Sequence, residues 1–266
     1  VTGIERAVGE QLCVRRKARG LTLTPAGQKF AKRARQIVAD TQELLLGIGP
    51  GQELRGPVKL GCYSTFATNV VPDLLEGFPK RYPGVHLEVT VGTNEELLAA
   101  LDAGHLDVAL LFDVTLPVGY RRREIYPTEL EVHLHPDHPL AKAASVDLPD
   151  LANEPYIQYY ATPGTVNVLS AFAARGLEPS IEVSVSEIGL VEALVGRGLG
   201  YGLLMSRPNR LPTSPEGRPV AIRPLDPPVT VSHVVGIWPD DMELTPRASA
   251  LLDFALEKFG GSGPAG

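Results

Sequence analysis

The chain has 266 residues, 44 % of them hydrophobic and 21 % charged, with a formal net charge of −6. That length and balance exclude a disordered or fibrous protein and allow one large or two medium domains with their own cores; the lack of any apolar run of about 18 residues excludes a bilayer-spanning helix. With no charged leader followed by an apolar stretch, a cytoplasmic protein without membrane contact is expected, although Val1 in place of methionine suggests a start inside a longer reading frame or after processing.

Nine of the 25 basic residues but two of the 31 acidic ones fall within residues 1–35, so residues 36–266 carry −13. A small cationic module on an anionic body points to contact with a polyanion, most simply nucleic acid. Its densest part is Arg15, Arg16, Lys17 and Arg19, in a turn between the apolar segments Leu12–Val14 and Leu21–Leu23, which can pair as two short strands with Gly20 near the turn. These four are the candidate phosphate contacts; a plain solvated turn is the competing reading. Lys29, Lys32, Arg33 and Arg35 read first as helix surface.

Thr24-Pro25 offers a capping hydroxyl and a proline at the first helical position. Phe30, Ala34, Ile37, Val38, Leu44 and Leu45 then follow a helical stripe, which predicts a helix from about 25 to 47, roughly 33 Å long at 1.5 Å per residue. Such a helix suits spacing or dimerisation, and Gly47, Gly49, Pro50 and Gly51 end it.

From residue 57 strand and helix alternate. Val58–Cys62 reads as a strand, Phe66 to Phe78 as a helix face, and Val85 to Val91 as a strand. Asn94 reads as the cap of a helix whose first turn carries Glu95 and Glu96, favourable against the helix dipole, and Asp107–Phe112 as a buried strand. This β-α-β-α-β order predicts a mostly parallel sheet. A second unit follows: strands 129–135, 155–159, 180–185 and 200–204 with helices 164–175 and 187–197. Strand 229–238 and helix 246–259 have no third unit to join and should return to the first lobe, leaving a cleft between two lobes. Residues 261–266 read as a disordered tail.

Several motifs decline on inspection. Gly196 to Gly202 follows a helix and enters a strand, the reverse of a nucleotide-binding glycine loop. His105, His133, His135 and His138 lack a zinc-like ligand set and read as ordinary surface histidines. Cys13 and Cys62 lie in different modules, which points to reduced thiols, and Cys62 weighs as a redox sensor against the commoner role of a small buried hydrophobe. No nucleophile, metal or cofactor constellation is present, so an enzyme is not expected.

The order of these elements resembles the LysR-type transcriptional regulators over essentially the whole chain from residue 4. The carrying motifs are Gln11-Leu12 with Arg15-Arg16, Leu23-Thr24-Pro25-Ala26-Gly27, Phe78 with Tyr82-Pro83 and Val85, Gly104-His105-Leu106-Asp107-Val108-Ala109, and Leu194-Val195 with Gly198-Leu199-Gly200. The resemblance implies an α/β, two-lobed, periplasmic-binding-protein-like effector domain preceded by a winged-helix remnant and a long linker helix. Residues 1–24 would be the end of a winged helix-turn-helix, 25–50 the linker and dimerisation helix, 57–127 plus 227–260 lobe I, and 128–226 lobe II.

Ile4-Glu5 and Val8-Gly9 match the end of the recognition-helix region, so most of the helix-turn-helix would lie upstream of Val1. Wing cations position a duplex but bases are read by a recognition helix, so this chain is expected to bind double-stranded DNA weakly and without sequence preference. The resemblance also implies a homodimer or homotetramer through the linker helix, and a small-molecule effector, with a carboxylate as candidate, in the interlobe cleft. Tyr63, Ser64, Thr65 and Phe66 at one strand-to-helix junction are the first candidates to bind it, with Thr93 at a second and Tyr159, Tyr160, Ser186 and Glu187 opposite; helix capping is the competing reading at each junction. A solute-binding protein of a transport system is the alternative.

Overall fold

The computed structural model describes residues 2–16, 20–47, 54–161, 164–229 and 231–261. The short helix α1 (Thr2–Val8) leads into a hairpin of β1 (Cys13–Arg16) and β2 (Gly20–Leu23), paired antiparallel from Cys13 opposite Leu23 to Arg16 opposite Gly20. The Glu5 carboxylate accepts from the amides of Leu12 and Cys13 at 2.8 and 3.0 Å and fastens α1 to the hairpin. The long helix α2 (Pro25–Gly47) starts where expected: the Thr24 hydroxyl accepts from the Gly27 amide at 3.0 Å, relieving one orphan donor of the first turn. Gly27 is required there, because a Cβ would lie 1.9 Å from the carbonyl oxygen of Leu12.

Beyond α2 the chain forms two lobes that share one strand. In lobe I, β3 (Gly56–Tyr63) lies between β4 (Val85–Gly92) and β5 (Val108–Phe112), all parallel. Next to β5 comes β11 (Val231–Pro239), antiparallel to it and to β6 (Tyr120–Leu134). The sheet is therefore mixed, against the mostly parallel expectation, because β11 is inserted between β5 and β6 and runs against both. Helices α3 (Ser64–Arg81), α4 (Asn94–Asp102) and α7 (Pro246–Phe259) complete this lobe, whose core gathers Val58, Leu60, Phe66, Leu74, Phe78, Leu97, Leu110, Leu252 and Phe259. Gly236 of β11 lets α7 approach, since a Cβ there would meet the side chain of buried Leu252 at 2.4 Å.

The predicted strand at 129–135 is the second half of a 15-residue strand. Residues 120–129 of β6 pair with β11, while residues 130–134 pair with β9 (Gly202–Met205) and β10 (Ala221–Pro224), the latter without a counterpart in the sequence reading. Around this half gather β7 (Pro155–Tyr159), β8 (Ser180–Val185), α5 (Gly164–Ala173) and α6 (Ile188–Gly196). β7 pairs parallel with β8, and backbone bonds from Ile157 N to the Tyr201 carbonyl (2.8 Å) and from Tyr201 N to the Pro155 carbonyl (2.9 Å) attach it beside β9. The chain thus leaves lobe I inside β6 and returns to it at β11.

Candidate functional site in the interlobe cleft

Each predicted junction places a strand end and a helix start at the gap between lobes. β3 ends at Tyr63 and α3 starts at Ser64; β4 ends at Gly92, with Thr93 opening α4; β7 ends at Tyr159; β8 is followed by Ser186, Glu187 and α6. Together with Thr115 and Leu116 they enclose an open cleft of about 870 Å³ lined by Tyr63, Ser64, Thr65, Thr93, Tyr159, Tyr160, Ser186 and Glu187. Eight of the nine predicted residues are thus brought to one space.

Phe66 is the exception. It is fully buried in lobe I, with its ring 5.1 Å from that of Phe112 and 6.3 Å from that of Tyr126; a position two residues inside a helix turns toward the core as readily as toward the junction it follows. Thr93 lines the cleft but is already engaged. Its hydroxyl accepts from the Glu96 amide (3.3 Å), while the Glu96 carboxylate accepts from the Thr93 amide (2.9 Å). This is a capping box, so the α4 cap is Thr93 and not Asn94, and its bonds hold the Glu96 carboxylate below its ordinary pKa.

The other two helix starts differ. Neither Tyr63 before α3 nor Glu187 before α6 supplies a side-chain cap, so first-turn N–H groups from opposite lobes face the same cleft without side-chain acceptors. An uncapped helix start carries partial positive charge and unsatisfied donors. Beside it the Thr65 hydroxyl is buried and has no hydrogen-bond partner. The lining residues contain Glu95, Glu96 and Glu187 but no lysine or arginine, so any anion here must rest on backbone N–H and hydroxyl groups. Across the cleft Tyr63 and Tyr159 interact through their phenols, and burial raises both above the ordinary tyrosine range.

A buried polar cluster that sequence reading missed lies behind the cleft at the crossing between lobes. Arg207, just after β9, pairs with Glu192 of α6 at 2.5 Å and reaches the Thr65 carbonyl at 3.5 Å, so it touches both lobes. Arg210 pairs with Glu131 at 2.7 Å. Desolvation raises the Glu131 carboxyl to about 7, only partly offset by Arg210. His133, read as a surface histidine, is 1 % exposed and neither ring nitrogen has a partner; burial, with Arg207 and Arg210 nearby, lowers its pKa well below the ordinary value. The signal available in sequence was the alternation Glu131, His133 along β6, which an exposed strand face shows equally well.

Cys62 is fully buried on β3 and burial pushes its thiol up to about 12; Cys13 is also a free thiol. Of the predicted phosphate contacts, Arg15 and Arg16 stand on β1 at the turn end of the hairpin, where Arg16 is opposite Gly20. Their side chains, with the whole of Lys17 and Arg19, lie outside the described residues. Among the described residues no cluster of histidine, cysteine, aspartate and glutamate could hold a metal, and no helix is long and apolar enough to cross a membrane.

The LysR substrate binding domain family matches residues 51–260. The chain is 30 % identical over 255 residues to YnfL of Escherichia coli, an uncharacterized HTH-type transcriptional regulator, covering 93 % of this chain and 84 % of that protein. It is 26 % identical over 213 residues to the HTH-type regulator CysB of Haemophilus influenzae, spanning 64 % of that protein's length. Among solved structures it superposes on HinK, a LysR family transcriptional regulator from Pseudomonas aeruginosa, with a TM-score of 0.74 at 30 % identity, covering 97 % of this chain and 86 % of the other. At 24 % identity and a TM-score of 0.65, covering 77 % of this chain and 97 % of that one, it shares the fold of the effector binding domain of QuiR, solved in complex with shikimate.

Proposed function

This chain belongs to the LysR-type transcriptional regulators, and we propose that its two lobes sense a small organic carboxylate in the cleft between them. The observation that carries the reading is the pair of uncapped helix starts, α3 from lobe I and α6 from lobe II, with the unpartnered Thr65 hydroxyl between protein and cleft. A carboxylate seated there satisfies donors from both lobes at once, so it binds the arrangement in which those donors converge better than any other. That difference in affinity is what a regulator requires, since a ligand shifts an equilibrium only by its preference for one state. The shikimate bound by QuiR, a protein of the same fold, supports a carboxylate of this size.

The remaining assignments rest on the family. The hairpin and α1 belong to a winged helix-turn-helix, where Arg15, Arg16, Lys17 and Arg19 meet DNA phosphates in the cytoplasm. On α2, Ile37 and Val38 point outward and are 65 % and 57 % exposed, a face that a second α2 covers in a dimer. The likeness to a regulator extends over 93 % of the chain, beyond the two lobes, which favours this reading over a transporter's solute-binding protein. Its relatives are regulators and not enzymes.

The test is thermal stabilisation by a panel of hydroxylated and plain carboxylates alongside their amides. Saturation at a hundredfold excess over Kd stabilises by about 2.7 kcal/mol, or roughly 5–11 °C for a domain of this size. Carboxylates should raise Tm, amides should not, and Thr65→Val should abolish the shift. A shift of equal size in Thr65→Val removes the assignment.

A further inference from the structure

Behind the open cleft lies a second, smaller space. It is a recess of about 50 Å³ walled by Phe112 and Val114 of lobe I and by Leu130, Val168, Leu203 and Leu204 of lobe II. Tyr63, Thr65, Tyr159 and Ile188 line both spaces, so the two tyrosines, one from each lobe and each ending the strand before a helix, form the partition. The cleft side of that partition is hydroxyls, helix starts and carboxylates; the inner side is almost wholly aliphatic and aromatic. Thr65 lies on the boundary with its hydroxyl unpartnered, as an anchoring group between a polar and an apolar half requires.

We infer that the effector is amphipathic: its carboxylate rests at the α3 and α6 starts and an apolar arm enters this chamber by parting the phenol contact between Tyr63 and Tyr159. The inference rests on the carboxylate reading above and extends it to the ligand's other end. An apolar lining of this kind favours apolar groups over water. At about 10–15 Å³ for each water-sized group, the chamber admits roughly three to five heavy atoms. The effector is then a carboxylate with a short alkyl or small-ring substituent, and each methylene that enters should raise affinity about fourfold, the equivalent of 0.8 kcal/mol per buried methylene.

The chamber can be made smaller or larger from α5, which contributes both Gly164 and Val168 to its lining. Among the described residues a Cβ added at Gly164 meets Tyr159 Cδ1 alone, at 3.9 Å, so Gly164→Leu fills space, whereas Val168→Ala, in the buried wall, creates it. Straight-chain carboxylates from acetate to octanoate, titrated against the whole chain and read by thermal shift, should stabilise it increasingly to about pentanoate or hexanoate and then level off or decline. Gly164→Leu should move that optimum to shorter chains, and Val168→Ala, a mild truncation should the first variant fail to fold, to longer ones. Equal shifts at every length, abolished by Thr65→Val, would overturn the chamber and leave the cleft reading intact. An optimum unmoved by Val168→Ala overturns the chamber as well. Stabilisation by none of the series overturns both.

Discussion

Arg207 offers the sharpest test of how the lobes are joined. Its side chain is 5 % exposed, that of its partner Glu192 is 16 %, and they meet at 2.5 Å, with a second guanidinium nitrogen 3.5 Å from the Thr65 carbonyl across the lobe boundary. Arg207→Ala leaves a carboxylate in a largely water-free site. Breaking such a pair on one side costs about 3–5 kcal/mol, and the residual exposure of Glu192 favours the lower end, near 3. At roughly 2–4 °C per kcal/mol for a domain of about 200 residues, Tm should fall by about 6–12 °C. Replacing both partners, Arg207→Met with Glu192→Leu, removes the uncompensated charge and should recover most of the loss, since apolar substitutes for buried pairs are often neutral. Urea denaturation of Arg207→Met, Glu192→Leu and the double variant, analysed as a cycle, measures the pair directly, with Arg207→Ala alongside. The reasoning is refuted if Arg207→Ala stays within about 0.5 kcal/mol of the parent, or if the double variant is as unstable as the sum of the singles.

Three further outcomes follow from the core. Glu131 has its pKa raised to about 7 by burial, so its contribution to stability is complete below its unfolded value of 4.5 and is lost as pH rises through 7; His133 is lowered, so its contribution is present above 6.5 and is lost as pH falls through its folded value. Since the two oppose each other between pH 4.5 and 7, Glu131→Gln should expose a steeper loss of Tm on acidification than the parent shows, and a parallel profile contradicts the assignment. Gly236→Ala forces a methyl against Leu252 and should cost about 1–3 kcal/mol, with partial rescue by Leu252→Ala, read by chemical denaturation. Cys62, buried with its thiol raised to about 12, should resist maleimide labelling in the folded chain and react at once in denaturant; prompt native labelling would reopen a redox role.

The elements whose signals are local were legible in sequence. Thr24-Pro25 placed the start of α2 because hydroxyl and proline act within one turn, and strand-helix alternation brought eight cleft residues to one place because each sits at a junction that the alternation defines. Contacts made across the chain were not legible. Tyr120–Arg123 is assigned no element from sequence; it is strand because Gly236–Pro239 supplies its ladder, and Arg121, Arg122 and Arg123 find Glu243, Asp113 and Asp253. Glu131 and His133 read as a solvent face because residues 192–210, about sixty and more positions away, cover it. The choice between Thr93 and Asn94 turned on which of them has glutamate at the third helical position, and Glu96 selects Thr93.

The central claim is that ligand is held between the lobes by α3 and α6 together. Backbone amide chemical shifts, followed while the straight-chain carboxylate that stabilises the chain most is titrated in, test it most directly. The account predicts the largest changes at Ser64, Thr65, Ser186, Glu187 and Ile188, from both lobes and with a common Kd. Changes confined to one lobe, or centred away from these helix starts, would contradict it.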